Sequence, residues 1–431
     1  MGKLLDTVSG LLLSTVVPSR VTEENTIHEL QNIDLAMKLH YLNCLYFFEP
    51  TTNKNDDACR FDISELKLHM FSLLAEYSHV AGRMRRGEDG RPYVRCNDCG
   101  VRIAEARSSR TVEEVVRMSD QSVFDGLVYK MELGPDLGFS PLVAIQFTWF
   151  KCGGFSIGLR WAHLLGDAFS ASAFINTWAR LLSAGPIASV SITGPIHDKT
   201  HLLPPLTKQL PFAKRVNPVG DHWVVNPGHT NMKTHNFRVG AKQFSQMRSN
   251  ACDFGVEFPP FEILSAIVWK SVASIRAIGE QSCVTVCRRN PEFKEDQPLS
   301  NSQVIHTVET NFSVAGAEVA DLMKLISNAN VDEKMVAEMS AMDENWNSDF
   351  VIYGANLTLV DLGEMGMHKM ELKGQKPVLA LCSVDGVGEE GLVLVVPDEE
   401  DGGDGRIVTV TLEEAELSEL KNELKHKWGI A

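Results

Sequence analysis

The chain has 431 residues, with 44% hydrophobic and 23% charged side chains, a length that exceeds one ordinary core and fits two domains. A net charge of −15 excludes the cationic face that nucleic acid demands, and it disfavours direct docking on anionic lipid headgroups. Nine cysteines in so long a chain do not suggest a secreted disulfide framework, and no stretch approaches the ~20 apolar residues that span a bilayer. The reading is a reducing, cytosol-facing protein without a transmembrane segment, whose membrane association would run through a partner.

In chain order, Leu66 to Ala81 reads as a helix with Leu66, Leu68, Phe71, Leu73, Leu74 and Val80 on its buried side, stopped at Gly82. Pro92–Cys96 and Val101–Glu105 read as two short strands around an Asn97-Asp98-Cys99-Gly100 turn. Leu142–Trp149 is apolar and rich in strand formers, Lys151-Cys152-Gly153-Gly154 is a turn signal, and Phe155–Trp161 resumes as a strand. His163-Leu164-Leu165-Gly166-Asp167 follows, and then an amphipathic helix from Ala168 to Leu182, stopped by Gly185-Pro186.

From 186 to 233 prolines recur and periodicity is lost, which predicts an extended crossover between two halves, 1–185 and 234–431. The second half predicts strands at His235–Val239, Val284–Val286, Tyr353–Leu359, Gly391–Val396 and Arg406–Leu412. Helices fall at Phe261–Ala277 and Glu413–Trp428, with a solvated acidic tip at Pro397–Gly405.

His163 with Asp167 leads the candidate chemistry. A neutral imidazole takes a proton from a hydroxyl or amine as that group attacks a thioester carbonyl. The spacing alone is weak: thirteen histidines give about one His-x-x-x-Asp by chance, and the chain has one. Its position between a strand end and a helix start adds weight, because α/β proteins place sites there. The structural alternatives are a core histidine at 163 and an N-cap at Asp167 that accepts the amide of Phe169 or Ser170. Cys96-x-x-Cys99 lacks the second pair that a structural zinc needs, so no metal is expected. Neither a phosphate-binding glycine loop nor a Gly-x-Ser-x-Gly elbow is present.

These residues resemble the plant BAHD acyltransferases. Phe150-Lys151-Cys152-Gly153-Gly154 leading into His163–Asp167 is similar to that family's first motif. Val80-Ala81-Gly82-Arg83-Met84, Phe174-Ile175-Asn176-Thr177-Trp178 and Phe261–Lys270 also resemble it. The resemblance implies two pseudo-symmetric chloramphenicol-acetyltransferase-like α/β domains with a channel between them. Acyl-CoA would be the substrate or ligand, with no bound cofactor. His163 would be the general base, and Asp167 a structural residue paired with an arginine, matched here to Arg288. A segment near 355–376 would cross back to the first domain.

Two positions depart from the family. Ala168 stands where it prefers Gly, and Glu371-Leu372-Lys373-Gly374-Gln375-Lys376-Pro377 replaces its Asp-Phe-Gly-Trp-Gly. The runs Asp34–Tyr41, Arg95–Gly100, Tyr353–Thr358 and Gly386–Gly391 resemble the eceriferum/Glossy-type branch, which lacks that second motif. That branch implies a role in very-long-chain fatty acid elongation for cuticular wax. The chain would be a monomer apart from its partner, a 3-ketoacyl-CoA synthase at the cytosolic face of the endoplasmic reticulum. The alternatives are a cytoplasmic protein and an ordinary acyl-CoA-dependent acyltransferase serving a hydroxyl or amine acceptor. The sequence leaves open whether the chain is a catalyst.

Overall fold

A computed structural model describes residues 8–50, 62–118, 121–184, 212–225, 231–251, 258–276, 282–292, 294, 298–329, 349–398 and 404–430. The Gly185-Pro186 stop, the crossover over 186–211 and 226–230, and the acidic tip over 399–403 lie outside them.

Runs of β-branched and aromatic residues build two six-stranded sheets. The first runs, in spatial order, Val8–Val16, Val101–Ser108, Val143–Phe150, Phe155–Ala162, Tyr41–Phe48 and Leu379–Asp385. The second runs Met232–Val239, Gly405–Glu413, Leu392–Asp398, Leu357–Asp361, Cys283–Arg288 and Val304–Glu309. Each sheet carries helices: Ile63–Leu74 and Ala168–Ala184 on the first, Pro260–Ile275, Val319–Ser327 and Glu414–Trp428 on the second.

The last strand of the first sheet comes from the second half of the chain. Leu379–Asp385 pairs antiparallel with Tyr41–Phe48, setting Cys382 opposite Cys44. The buried Arg160 fixes this pairing by bonding Asp385, the Asn43 side chain (2.9 Å) and the Met131 carbonyl (3.0 Å). The crossing expected over 355–376 therefore divides. Leu357–Asp361 is an inner strand of the second sheet, while Met365 and Gly366 reach the first half by accepting bonds from Ser172 and Asn176.

Three local expectations are corrected. The first helix ends at Leu74, because Ala75–Ala81 continues as turns, and a side chain at Gly82 would collide with Val94 and the Arg95 carbonyl. Pro92–Arg95 and Val101–Ser108 are not a hairpin. The former joins a small sheet with Ile27–Glu29 and Arg83–Arg86, and the latter joins the large one. The Ala168–Ala184 helix is not amphipathic: of residues 168–183 only Arg180 and Ser183 are exposed. Its buried polar residues Ser170, Ser172 and Asn176 donate hydrogen bonds to backbone carbonyls rather than to water. The helix lies against the first sheet and also meets the 365–372 segment, with Trp178 donating to the Leu66 carbonyl at 3.1 Å.

Candidate functional site

The Phe155–Ala162 strand delivers His163 into a single 3₁₀ turn, His163–Leu165. The turn is pinned by its backbone, with the His163 amide donating to the His40 carbonyl (3.1 Å) and Trp161 Nε1 to the Gly166 carbonyl (3.0 Å). Gly166 sits at φ 145°, and a Cβ there would lie 2.7 Å from Ser170 and 3.0 Å from the Ser300 amide. Only glycine fits that approach.

Asp167 is fully buried and caps the helix by accepting the Ser170 amide at 3.0 Å. Its other oxygen reaches the second half, accepting the amides of Ser302 (3.0 Å) and Gln303 (2.9 Å) and the Ser302 hydroxyl (3.3 Å). Burial raises the carboxyl above its ordinary range, and these same donors pull it back. Asp167 is thus both the N-cap and a clamp between the halves. Ser170 doubles the clamp through its hydroxyl, which accepts the Ser300 amide (3.1 Å) and donates to the Ser300 carbonyl (2.9 Å).

The expected Arg288 partner is not there. Arg288 donates to Glu262 (2.9 Å) and to the Ile326 carbonyl (3.0 Å), both within its own half. Three backbone amides and a hydroxyl already fill the carboxylate of Asp167, which leaves it no need of a guanidinium.

The His163 ring is also fully buried. Its Nε2 lies 3.1 Å from the Tyr353 hydroxyl, which lies 2.8 Å from Gln303 Oε1. Its Nδ1 has no partner among the described residues. Burial lowers the imidazole to about 4, its own backbone and the Asn301 side chain opposing, so the ring is neutral at pH 7. The Asn301 amide bridges the His163 carbonyl (2.8 Å) to Asp34 (2.9 Å), whose carboxyl burial raises to about 6.

Sequence reasoning did not single out His40, Asn301, Gln303 or Tyr353. His40 Nε2 accepts the amides of Ile352 (3.1 Å) and Tyr353 (3.3 Å), and its ring centroid lies 5.0 Å from that of Tyr353 and 6.3 Å from that of His163. Burial, aided by the charge of a protonated His163, lowers it to about 3. The available signal was family resemblance, because His40 and Tyr353 both stand in runs that resemble the eceriferum branch.

The Glu371–Pro377 segment forms a tight turn closed by the Leu372–Gln375 pair, with Lys373 at φ 48° and Gly374 at φ 82°. Lys373 reaches Glu65 at 2.7 Å, and Ser183 donates to the Glu371 carbonyl at 3.2 Å. A cavity of about 670 Å³ opens beside Leu39, lined by Val216, Pro218, Val219 and Val225, with Arg215 and His222 among its polar groups.

Residues 8–290 match the family described as Transferase family. The chain is 39% identical over 428 residues to Protein ECERIFERUM 26-like of Arabidopsis thaliana, spanning 97% of this chain and 95% of that protein. The chain belongs to the BAHD transferase family. Within it, this BAHD chain stands with the eceriferum branch, being also 36% identical to Protein ECERIFERUM 2 of the same plant over 97% of this chain and 98% of that one. Two solved structures share the fold. Vinorine synthase superposes with a TM-score of 0.71 at 17% identity, over 97% of this chain and 98% of that one. TRI101 of F. graminearum, complexed with coenzyme A and deoxynivalenol, gives 0.71 at 14%, over 92% and 97%. The BAHD chain therefore has the two-domain chloramphenicol-acetyltransferase-like architecture.

Proposed function

We propose that this BAHD protein acts in very-long-chain fatty acid elongation for cuticular wax, by modifying a 3-ketoacyl-CoA synthase at the cytosolic face of the endoplasmic reticulum. The observation that carries the modifier reading is the engagement of His163 Nε2 by Tyr353 inside a fully buried site. A general base must present a free nitrogen to the acceptor's proton, and here Nε2, the ring nitrogen that faces the other half, is already engaged by an internal hydroxyl. Identity of 36–39% to the eceriferum proteins and the replaced second motif support the same reading. Acyl-CoA is the proposed ligand, because coenzyme A is bound in the TRI101 complex of the same fold and the cavity beside Leu39 is mostly apolar.

A second reading, ordinary acyl transfer to a hydroxyl or amine, is favoured by the neutral state of His163 and its place at a strand end. The two are separated in yeast carrying one plant 3-ketoacyl-CoA synthase, by profiling fatty-acid chain length with the protein and with His163→Ala. The modifier reading expects longer chains with both. Longer chains with the wild type alone move the weight to chemistry at His163, and no lengthening with either overturns the elongation role for that synthase.

A further inference from the structure

Tyr353 and His163 come from opposite halves of the molecule and lie 190 residues apart, yet they share a hydrogen bond at 3.1 Å. Both are at most 1% exposed. The phenol donates to Gln303 Oε1, so its oxygen accepts from a protonated Nε2. Turning the Gln303 amide over reverses both bonds, and Nε2 is engaged either way.

Tyr353 is held where it is from several sides. Its amide donates to His40 Nε2 (3.3 Å) and its carbonyl accepts the Gly388 amide (2.8 Å). Its ring centroid lies 5.0 Å from that of His40 and 5.3 Å from that of His163. The next residue, Gly354, has φ 89° and packs so closely on Gly388 that a Cβ would fall 2.5 Å from that backbone. A phenol fixed by so many contacts is a built element of the site.

We infer that Tyr353 is a cap on His163: its hydroxyl fills the place on Nε2 that an attacking water or acceptor hydroxyl needs, so a bound acyl thioester is held without being cleaved. The inference rests on the acyl-CoA reading above. Tyr353 is in these terms a positioning residue whose removal creates an activity. With the hydroxyl gone, the neutral ring carries its proton on Nδ1, and a water in the vacated place gives a proton to Nε2 as its oxygen bonds to the thioester carbonyl carbon. The carbon–sulfur bond then breaks, and the proton passes from His163 to the departing sulfur. The products are a free fatty acid and coenzyme A thiol.

The test uses the purified full chain as wild type, Tyr353→Phe and Tyr353→Phe/His163→Ala, each given palmitoyl-CoA and, separately, p-nitrophenyl acetate. Thiol release, nitrophenol release and palmitoyl-CoA binding by calorimetry are the readouts. Tyr353→Phe is expected to cleave at least one of the two substrates about a hundredfold faster than wild type or better, within the range that a freed general base contributes. The double variant is expected to lose that gain, which a merely structural role for Tyr353 would not produce. No acceleration on either substrate, or a gain that survives loss of His163, overturns the cap. Faster nitrophenol release without palmitoyl-CoA binding keeps the cap and overturns the acyl-CoA reading. Should Tyr353→Phe fail to fold, nitrogen-15 NMR of the wild type decides: a hydrogen-bonded His163 Nε2 supports the cap, and an unbonded one overturns it.

Discussion

The two halves are joined near His163 and again at the Glu371–Pro377 turn, and the two junctions are built differently. At Asp167 the joint is buried, with four donors converging on one carboxylate. At the turn it includes an ion pair whose side chains, Lys373 and Glu65, are 21% and 33% exposed. A buried acceptor cannot exchange its partners for water, whereas a half-exposed pair can. The contrast shows that, of these two joints, the one around the histidine is the more fully closed to water, while the segment that replaces the family's second motif holds by a contact that water screens.

Removing the carboxylate should therefore hurt most. Asp167→Ala orphans three buried backbone amides and is expected to cost on the order of 4 kcal/mol in urea unfolding. Asp167→Asn, which keeps one acceptor, should cost about half of that. A loss below about 1 kcal/mol for Asp167→Ala would break the contrast.

Acid should act next, through the rings behind the clamp. His40 and His163 stay neutral in the fold down to about 3 and about 4, while in the unfolded chain they protonate near ~6.5. As pH falls below that, the unfolded state binds protons that the folded state refuses, and stability drops through the window down to about pH 3–4. Asp34, raised to about 6, has the opposite sign: its contribution is present at low pH and is lost as pH rises through 6. The His163→Gln variant isolates one histidine. Its melting temperature should fall less than that of the wild type between pH 7 and pH 4.5, and parallel curves would show that His163 is not held neutral by burial.

The smallest effect belongs to the turn. Lys373→Ala should change stability by less than about 1 kcal/mol after allowing for solvent screening. A larger loss on chemical denaturation would mean that this joint matters as much as the clamp.

The strand, turn, strand, histidine and helix order was legible because each step leaves a local mark: an apolar run rich in strand formers, a Gly-Gly turn, then a residue able to cap. The observed Phe155–Ala162 and Ala168–Ala184 lie within two residues of the expected bounds. The Asp167 cap was legible for the same reason. The partners of His163 were not. Tyr353 and Gln303 reach it from 190 and 140 residues away, and a contact between halves imprints no periodicity on either segment. Arg288 was matched by family position, but Glu262 in its own half, with a side chain only 4% exposed, takes its charge. The end of the first helix was misread because Tyr77 and Val80 are buried and prolong the apolar pattern into turns.

The strand Leu379–Asp385 carries a consequence for how the protein is made. Tyr41–Phe48, with all eight residues buried, gains its outer neighbour only when that strand arrives. A ribosome adds roughly 5–20 residues each second, so for tens of seconds the nascent chain presents an apolar strand with an unpaired rim. Such a rim invites pairing with other chains, which makes the emerging first half a natural client for chaperones until residue 385 has left the exit tunnel.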